Sequence, residues 1–448
     1  MKKYFWTIAA LFYCALTISL VSCSKDDAES IIAPPVSGQG FFSTEINALI
    51  DENYKTIERQ GYGELVIPAS MFDHTPFAIP ADAAGDMGYV IRAGFKAYVN
   101  GGSVRDAVMG IAPNDVDFST DATPEQLQQL VPNTQIYTAP SGYVVAQAWH
   151  GDDRTDMATM RAIYPILHGK PGIPESQYEG PYGKSLLEDT YTRDLTINSL
   201  YYDYQTGNIY DFHGGLHDLR EGIIRTLFDP ELALSVDPTR ILRAVRFAGR
   251  FGFKIDEATS KSMHKNIASC DGIDAHGKAY TLNSCFKDGA MARSYRVMKE
   301  YDILGRYFLT LKDVLNSQAY NDYINKVYTY LDDQKCKNIP TNMAALFYPV
   351  MQQEIGKKEP AASEVLAAWN TLEERSGQKE TYEIEDSFKT AMCQLWYLLG
   401  QMTSSNVTGD ASKAAAVRAD KSYAQAQLLL QAMAQADSNL KQFADFWR

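Results

Sequence analysis

The chain has 448 residues, enough for two or three domains with sizeable cores, and its 45% hydrophobic and 22% charged residues are ordinary for a globular protein. A formal net charge of −13 excludes any general attraction to polyanions, so a nucleic-acid partner would require a local basic patch. No spacing between about 20 and 50 residues repeats, which excludes an obvious solenoid, and no CxxC or Cys/His cluster argues for zinc.

Residues 1–22 read as a targeting segment rather than fold. Met1-Lys2-Lys3 is basic, and an apolar run follows to Leu20-Val21-Ser22-Cys23. A transmembrane anchor is the plainer alternative for a run that barely reaches spanning length. The segment resembles a bacterial lipoprotein signal, which implies lipid on Cys23 as the mature N-terminus and anchorage in the cell envelope, at the outer membrane. The polar stretch 23–42, with Pro34-Pro35, suits an extended tether.

Ile46, Leu49, Ile50 and Ile57 predict an amphipathic helix over 43–60, and a second helix over 81–93 leads into a first strand at 96–100. Gly101-Gly102 follows, and 103–109 has helical spacing that stops at Gly110. Two glycines let the backbone approach a ligand, and the N–H groups of a helix start suit phosphate oxygens. In Asp115-Val116-Asp117, residues two apart point the same way along a strand, so the carboxylates aim together while Val116 and Phe118 face the core. Adjacent carboxylates repel each other unless a cation lies between them, and Mg²⁺ is the natural occupant. Phosphate cradle and paired acids together point to metal-assisted phosphoryl or nucleotidyl transfer. Taken alone, each motif is equally a glycine turn or a solvated strand end.

Thr123 and Pro124 read as N-cap and first residue of the next helix. Residues 144–149 and 153–160 alternate as a hairpin about Gly151-Asp152, which would set Asp156 on a strand beside Asp115 and Asp117. The Gly-, Pro- and Tyr-rich stretch 163–186 reads as a loop over a site. A strand pair is expected over 201–211 around Thr206-Gly207, followed by a Gly214-Gly215 turn. Asp237-Pro238 opens a helix on which Arg240, Arg243, Arg246 and Arg250 recur as one basic stripe, suited to phosphate or nucleic acid. Helix capping by itself is a sufficient reason for Asp237. Further helices are expected around 290–301, 320–331, 342–353, 361–375, 388–399 and 414–446. Cys270, Cys285, Cys336 and Cys393 default to buried thiols, with Cys270–Cys285 as the pair an oxidising compartment would permit.

In this order the motifs resemble the bacterial poly(A) polymerase and CCA-adding tRNA nucleotidyltransferase family, within the polymerase-β-like nucleotidyltransferases. Gly101-Gly102-Ser103-Val104-Arg105-Asp106 matches GG-x-VRD, which contacts the nucleotide. Asp115 and Asp117 match the metal-binding pair, Asp156 a third carboxylate, and Arg161 a residue near the triphosphate. Thr192-Arg193-Asp194-Leu195-Thr196-Ile197-Asn198 matches RRDFTIN, implying ribose and phosphate contacts from Arg193, Asp194 and Asn198. The stretch from Val236 to Phe247 matches EDPxRxLRAxRF, implying base contacts from Asp237 and Arg240, with Arg243 and Arg246 further along the same helix. Val66-Ile67-Pro68 and His74 favour the poly(A) polymerase branch.

The resemblance implies an α+β fold, a small polymerase-β-like head sheet followed by an all-helical neck and body. Boundaries are expected at 43–205 for the head, 206–290 for the neck and 291–448 for the body. It further implies a monomeric enzyme that uses two Mg²⁺ ions to add AMP from ATP to an RNA 3′ end. Two positions depart from the pattern: Thr192 replaces an Arg, and Val236 replaces a Glu that looks like an orienting partner of Arg240. The nearly neutral, Ala/Gln-rich stretch 414–448 also lacks the basic extension that would favour processive RNA binding. The alternative is an exported, non-catalytic lipoprotein that keeps the fold as a nucleotide-, RNA- or protein-binding module.

Overall fold

The computed structural model describes residues 42–72, 79–113, 116–138, 144–162, 182–183, 185–356 and 359–448. The signal, the tether to residue 41, Cys23, His74, Asp115 and most of the loop 163–186 lie outside the described residues. The chain divides into two units, one running to Arg240 and including Phe253–Asn266, the other holding Ile241–Gly252 and Ile267–Arg448.

The first unit is built on an eight-stranded sheet in the order β1-β8-β7-β2-β3-β6-β5-β4. Its strands are β1 (Leu65–Pro68), β2 (Ala97–Asn100), β3 (Phe118–Thr120), β4 (Thr134–Thr138), β5 (Val144–His150), β6 (Asp153–Thr159), β7 (Tyr201–Asp203) and β8 (Asn208–Asp211). Every neighbouring pair is antiparallel except β3 and β6, which run parallel with Phe118 opposite Met157. β2 and β3 lie mid-sheet and are buried along their whole length. Val116 and Phe118 are buried, as the alternation requires. Tyr98, Met160, Leu186, Tyr201 and Phe212 pack into one apolar cluster.

The local signals act as the sequence leads one to expect. Helix α1 (Thr44–Gln60) starts where Ser43 Oγ accepts from the Ile46 N–H at 3.2 Å, and it ends at Gly61 with φ +82°. Helices α2 (Ala81–Arg92) and α3 (Gly102–Val108) flank β2. Helix α4 (Pro124–Leu130) carries a reciprocal capping box, Gln126 N–H to Thr123 Oγ1 and Thr123 N–H to Gln126 Oε1. Gly151 and Gly207, both at positive φ, turn the β5–β6 and β7–β8 hairpins.

Two strands of the eight-stranded sheet had no signal. β4 lies at the sheet edge with half-exposed side chains and no alternation, and β1 is a four-residue edge strand that ends in Pro68. The first strand is therefore β1, not 96–100. The head sheet also takes in β8, beyond the boundary expected at 205. Helix α5 (Leu186–Thr190) precedes β7, and beyond β8 come α6 (Gly215–Glu221), α7 (Pro230–Val236), α8 (Thr239–Phe251), α9 (Glu257–Asn266) and a short parallel pair, β9 (Ile223–Ile224) with β10 (Lys254–Ile255).

The second unit is helical among its described residues. Ile339–Ile355 packs against Gln318–Asp333, Ala362–Ser376 and Asp386–Met402 around Phe308, Phe347, Trp369 and Trp396. The helix expected over 414–446 is three helices, Ala411–Arg418, Tyr423–Met433 and Lys441–Phe446. At the breaks, Asp420 accepts from the Ser422 N–H and Asp437 from the Asn439 N–H, so short acidic side chains take backbone donors away from the helix. Cys270, Cys285, Cys336 and Cys393 are all free and buried, so Cys270 and Cys285 do not pair. Among the described residues, no helix is long and apolar enough to cross a membrane.

Candidate active site

The glycine turn ends β2. Gly101 sits at φ +65°, ψ −125°, a conformation that glycine adopts freely, and its N–H donates to the Leu200 carbonyl at 3.0 Å. Arg105, 3% exposed, lies behind the turn. Its guanidinium donates through Nε and Nη2 to Asp106 Oδ1 at 2.8 and 2.7 Å and through Nη1 to Asn198 Oδ1. Asn198 Nδ2 in turn donates to Asp194 Oδ1 at 3.1 Å. Gly101, Gly102, Arg105, Asp106, Asp194 and Asn198 thus form one connected group, although two segments about ninety residues apart supply them.

Asp117 immediately precedes β3, and Asp156 lies in β6, its parallel neighbour. The register sets them side by side, and the Asp156 N–H donates to Asp117 Oδ1 at 3.4 Å. Asp156 Oδ1 accepts from Gln147 Nε2 at 2.8 Å and lies 3.2 Å from Arg154 Nε. Two carboxylates on adjacent strands offer hard oxygen donors of the kind Mg²⁺ takes. Among the described residues, no group of three or more His, Cys, Asp or Glu side chains forms a metal site, and Asp115 is not one of those residues.

Arg161 follows β6, bridges to Tyr182 and is 9% exposed. Its N–H donates to Asp189 Oδ1 at 2.9 Å. Asp189 is the residue that the sequence reading missed. It sits in α5, 1% exposed, and its Oδ2 accepts from Arg193 Nη2 at 2.9 Å, from the Tyr201 hydroxyl at 2.6 Å and from Ser119 Oγ at 3.3 Å. Burial alone would raise its pKa, but the charges of Arg193 and Arg161 and the Tyr201 hydroxyl outweigh it and hold the carboxyl below the ordinary value. Arg193 also donates to Tyr201, Asn100 and Ser119. The available signal was an acid four residues before an arginine, the helical ion-pair spacing.

Asp237 Oδ1 accepts from the Thr239 N–H at 2.9 Å, so it caps the start of α8. Arg240 is 3% exposed, lies over the Phe228 ring and donates through Nη2 to the Thr192 carbonyl at 3.5 Å. Its Nε stands 3.7 Å from Asp237 Oδ2. One of the two departing positions, Thr192, therefore touches the arginine through its backbone. Of the remaining arginines in α8, all in the second unit, Arg246 pairs with Asp288 at 3.2 Å, while Arg243 and Arg250 lie over Phe247 and Phe251.

A mixed sheet with a glycine turn at the end of one strand and facing acids on the next two defines a nucleotidyltransferase head. Residues 97–225 match the Poly A polymerase head domain. The chain is 27% identical to poly(A) polymerase I of Haemophilus influenzae over 325 residues, covering 68% of this chain and 70% of that protein. It is 32% identical to a CCA-adding enzyme of Bacillus licheniformis over 213 residues, covering 47% and 51%. Among solved structures it is similar to the Thermotoga maritima CCA-adding enzyme complexed with tRNA, with a TM-score of 0.52, 19% identity and 80% of each chain covered. At that identity, the likeness speaks for the fold. Residues 97–225 thus carry the match to a poly(A) polymerase head, the chain is similar to poly(A) polymerases and CCA-adding enzymes, and it spans between about half and seven-tenths of the length of these curated relatives.

Proposed function

We propose that the protein transfers AMP from ATP to an RNA 3′ end, with a divalent metal held by Asp117, Asp156 and Asp115. The observation that carries this reading is the placement of Asp117 beside Asp156 on parallel strands, next to a strand that ends in the glycine turn. Their carboxylate oxygens fit Mg²⁺, and we propose two ions by the family's pattern. When bound, the metal supplies stabilisation for attack of a 3′-hydroxyl on the α-phosphate and for the leaving pyrophosphate.

The chain's own residues then divide the remaining work. Gly101 and Gly102 let the nucleotide phosphates approach the backbone, and Arg161 brings positive charge to them, whereas Arg105, engaged by Asp106 and Asn198, fixes the turn from behind. Asp194 and Asn198, already linked to Arg105, face the ribose. Asp237 and Arg240 read the base, with adenine preferred. We propose further that the chain is exported as a monomer and anchored in the outer membrane by lipid on Cys23. Support for export is the sequence of the first 22 residues; fatty-acid labelling that persists in Cys23→Ser would sink it.

The test of activity is incorporation of labelled AMP by purified protein given Mg²⁺ and several RNA primers. Incorporation is expected. Normal ATP binding with no incorporation on any primer would favour the second reading, a non-catalytic nucleotide-binding module. The replacement of Arg by Thr192 and of Glu by Val236 around Arg240 is what motivates that rival.

A further inference from the structure

We infer that the buried Asp189 and the partly buried Arg193 form a brace that sets the spacing between the glycine turn and the acid pair, which makes Arg193 a positioning residue rather than a ligand of the nucleotide phosphates. The inference rests on the nucleotidyl-transfer reading above and deepens it.

All three guanidinium nitrogens of Arg193 are used within the protein. Nε donates to the Tyr201 hydroxyl at 3.1 Å, Nη1 to Asn100 Oδ1 at 3.1 Å, and Nη2 to Ser119 Oγ at 3.0 Å and Asp189 Oδ2 at 2.9 Å. Tyr201, Asn100 and Ser119 belong to β7, β2 and β3, three consecutive strands of the sheet. Asn100 Nδ2 also donates to Ser119 Oγ at 3.0 Å, which closes the link between β2 and β3.

The two ends of that link are functional addresses. Asn100 is the residue before Gly101. Ser119 is two residues after Asp117 and so lies on the same side of its strand. Asp189 adds a fourth strap through the Arg161 N–H, directly beyond β6 and its Asp156. One planar cation and one carboxylate therefore hold together the strand ends that carry the phosphate turn and both described acids. A guanidinium whose charge is matched at 2.9 Å and whose planar fork is already engaged is suited to fixing geometry. It has little net charge left to offer a triphosphate.

The two roles predict opposite signs, which titration of the intact protein with Mg²⁺-ATP and with AMP can read. If the pair is a brace, Asp189→Asn and Arg193→Gln both weaken ATP binding, each by about tenfold, because misplaced groups lose affinity whichever partner is removed. The ratio of ATP to AMP affinity then stays within about twofold of the wild type, since no phosphate contact has been lost. If Arg193 is instead a phosphate ligand, Arg193→Gln loses ATP affinity while keeping AMP affinity, and Asp189→Asn tightens ATP by freeing a cation. That outcome overturns the brace.

Should the charged-pair variants fail to fold, Tyr201→Phe and Ser119→Ala each remove one strap while keeping both charges. The brace predicts weaker ATP binding in both, with melting temperatures near the wild type; unchanged binding in both overturns it. Wild-type protein that does not bind ATP at all overturns the nucleotidyl-transfer reading and this inference together. Wild-type binding with the wrong signs overturns the brace alone.

Discussion

The head and the body are held together by different physics. In the head, the residues around the sheet centre are fixed by directional bonds between charged and polar groups: Asp189 to Arg193, Arg105 to Asn198, and Asp211 to the N–H groups of His213, Gly215 and Leu216. The body is organised around rings, with Phe308 against Tyr382 at 4.4 Å, Phe347 against Trp369 at 5.1 Å and Trp369 against Trp396 at 5.3 Å. A hydrogen-bonded charge network tolerates few substitutions, because each removed partner leaves another polar group buried and unmatched. Apolar packing tolerates many, so long as volume is conserved.

Four changes would break or sharpen this contrast. Trp369→Ala removes a fully buried ring at the centre of the body and should cost about 3–5 kcal/mol, read from the denaturant midpoint. A cost under 1 kcal/mol would show that the aromatic cluster does not govern the body. Asp117→Ala should lower AMP incorporation by roughly a thousandfold while leaving the melting temperature almost unchanged, because the task proposed for it is to bind metal rather than to hold the fold. An equal loss of stability would place Asp117 among the structural acids.

Gly183→Ala comes third. A Cβ there would lie 2.6 Å from the Arg161 carbonyl oxygen, so the chain must shift at a cost of about 1–3 kcal/mol, with ATP affinity falling in parallel. The smallest effect is in pH. The Asp189 pKa is depressed in the folded state, so its contribution to stability is complete above the ordinary carboxylate range and is lost as pH falls through it. Asp189→Asn should therefore flatten the acid limb of the stability profile below about pH 5, read from denaturant midpoints across an acid series. An unchanged acid limb would mean that the pair contributes no net charge stabilisation.

Much of the head was readable because its signals are local. The Thr123 cap, the Gly151 hairpin and the burial of Val116 and Phe118 each follow from spacing within a few residues, while the placement of Asp156 beside Asp117, 39 residues away, needed the strand pairing as well. What escaped was either weakly patterned or distant in sequence. β4 is a half-exposed edge with no alternation to detect. Asp189 gathers partners from residues 119, 161, 193 and 201, and only the i,i+4 spacing to Arg193 lies within reach of a linear reading. The arginines of α8 were found by their helical recurrence, but spacing could not show that Arg240 is buried over Phe228 or that Arg246 faces Asp288. The long C-terminal helix was misjudged because Ala and Gln favour helix almost everywhere, whereas Asp420 and Asp437 break it through bonds a propensity scale does not weigh.

The four unlinked cysteines have a consequence for thiol chemistry. Burial pushes the Cys285 and Cys393 thiols up to about 12, so near neutral pH both keep their protons. Sulfur that keeps its proton and sees no solvent exchanges poorly with oxidants or with small thiols. Cys285 and Cys393 are thus poor partners for thiol exchange, and the described residues are held without a cross-link.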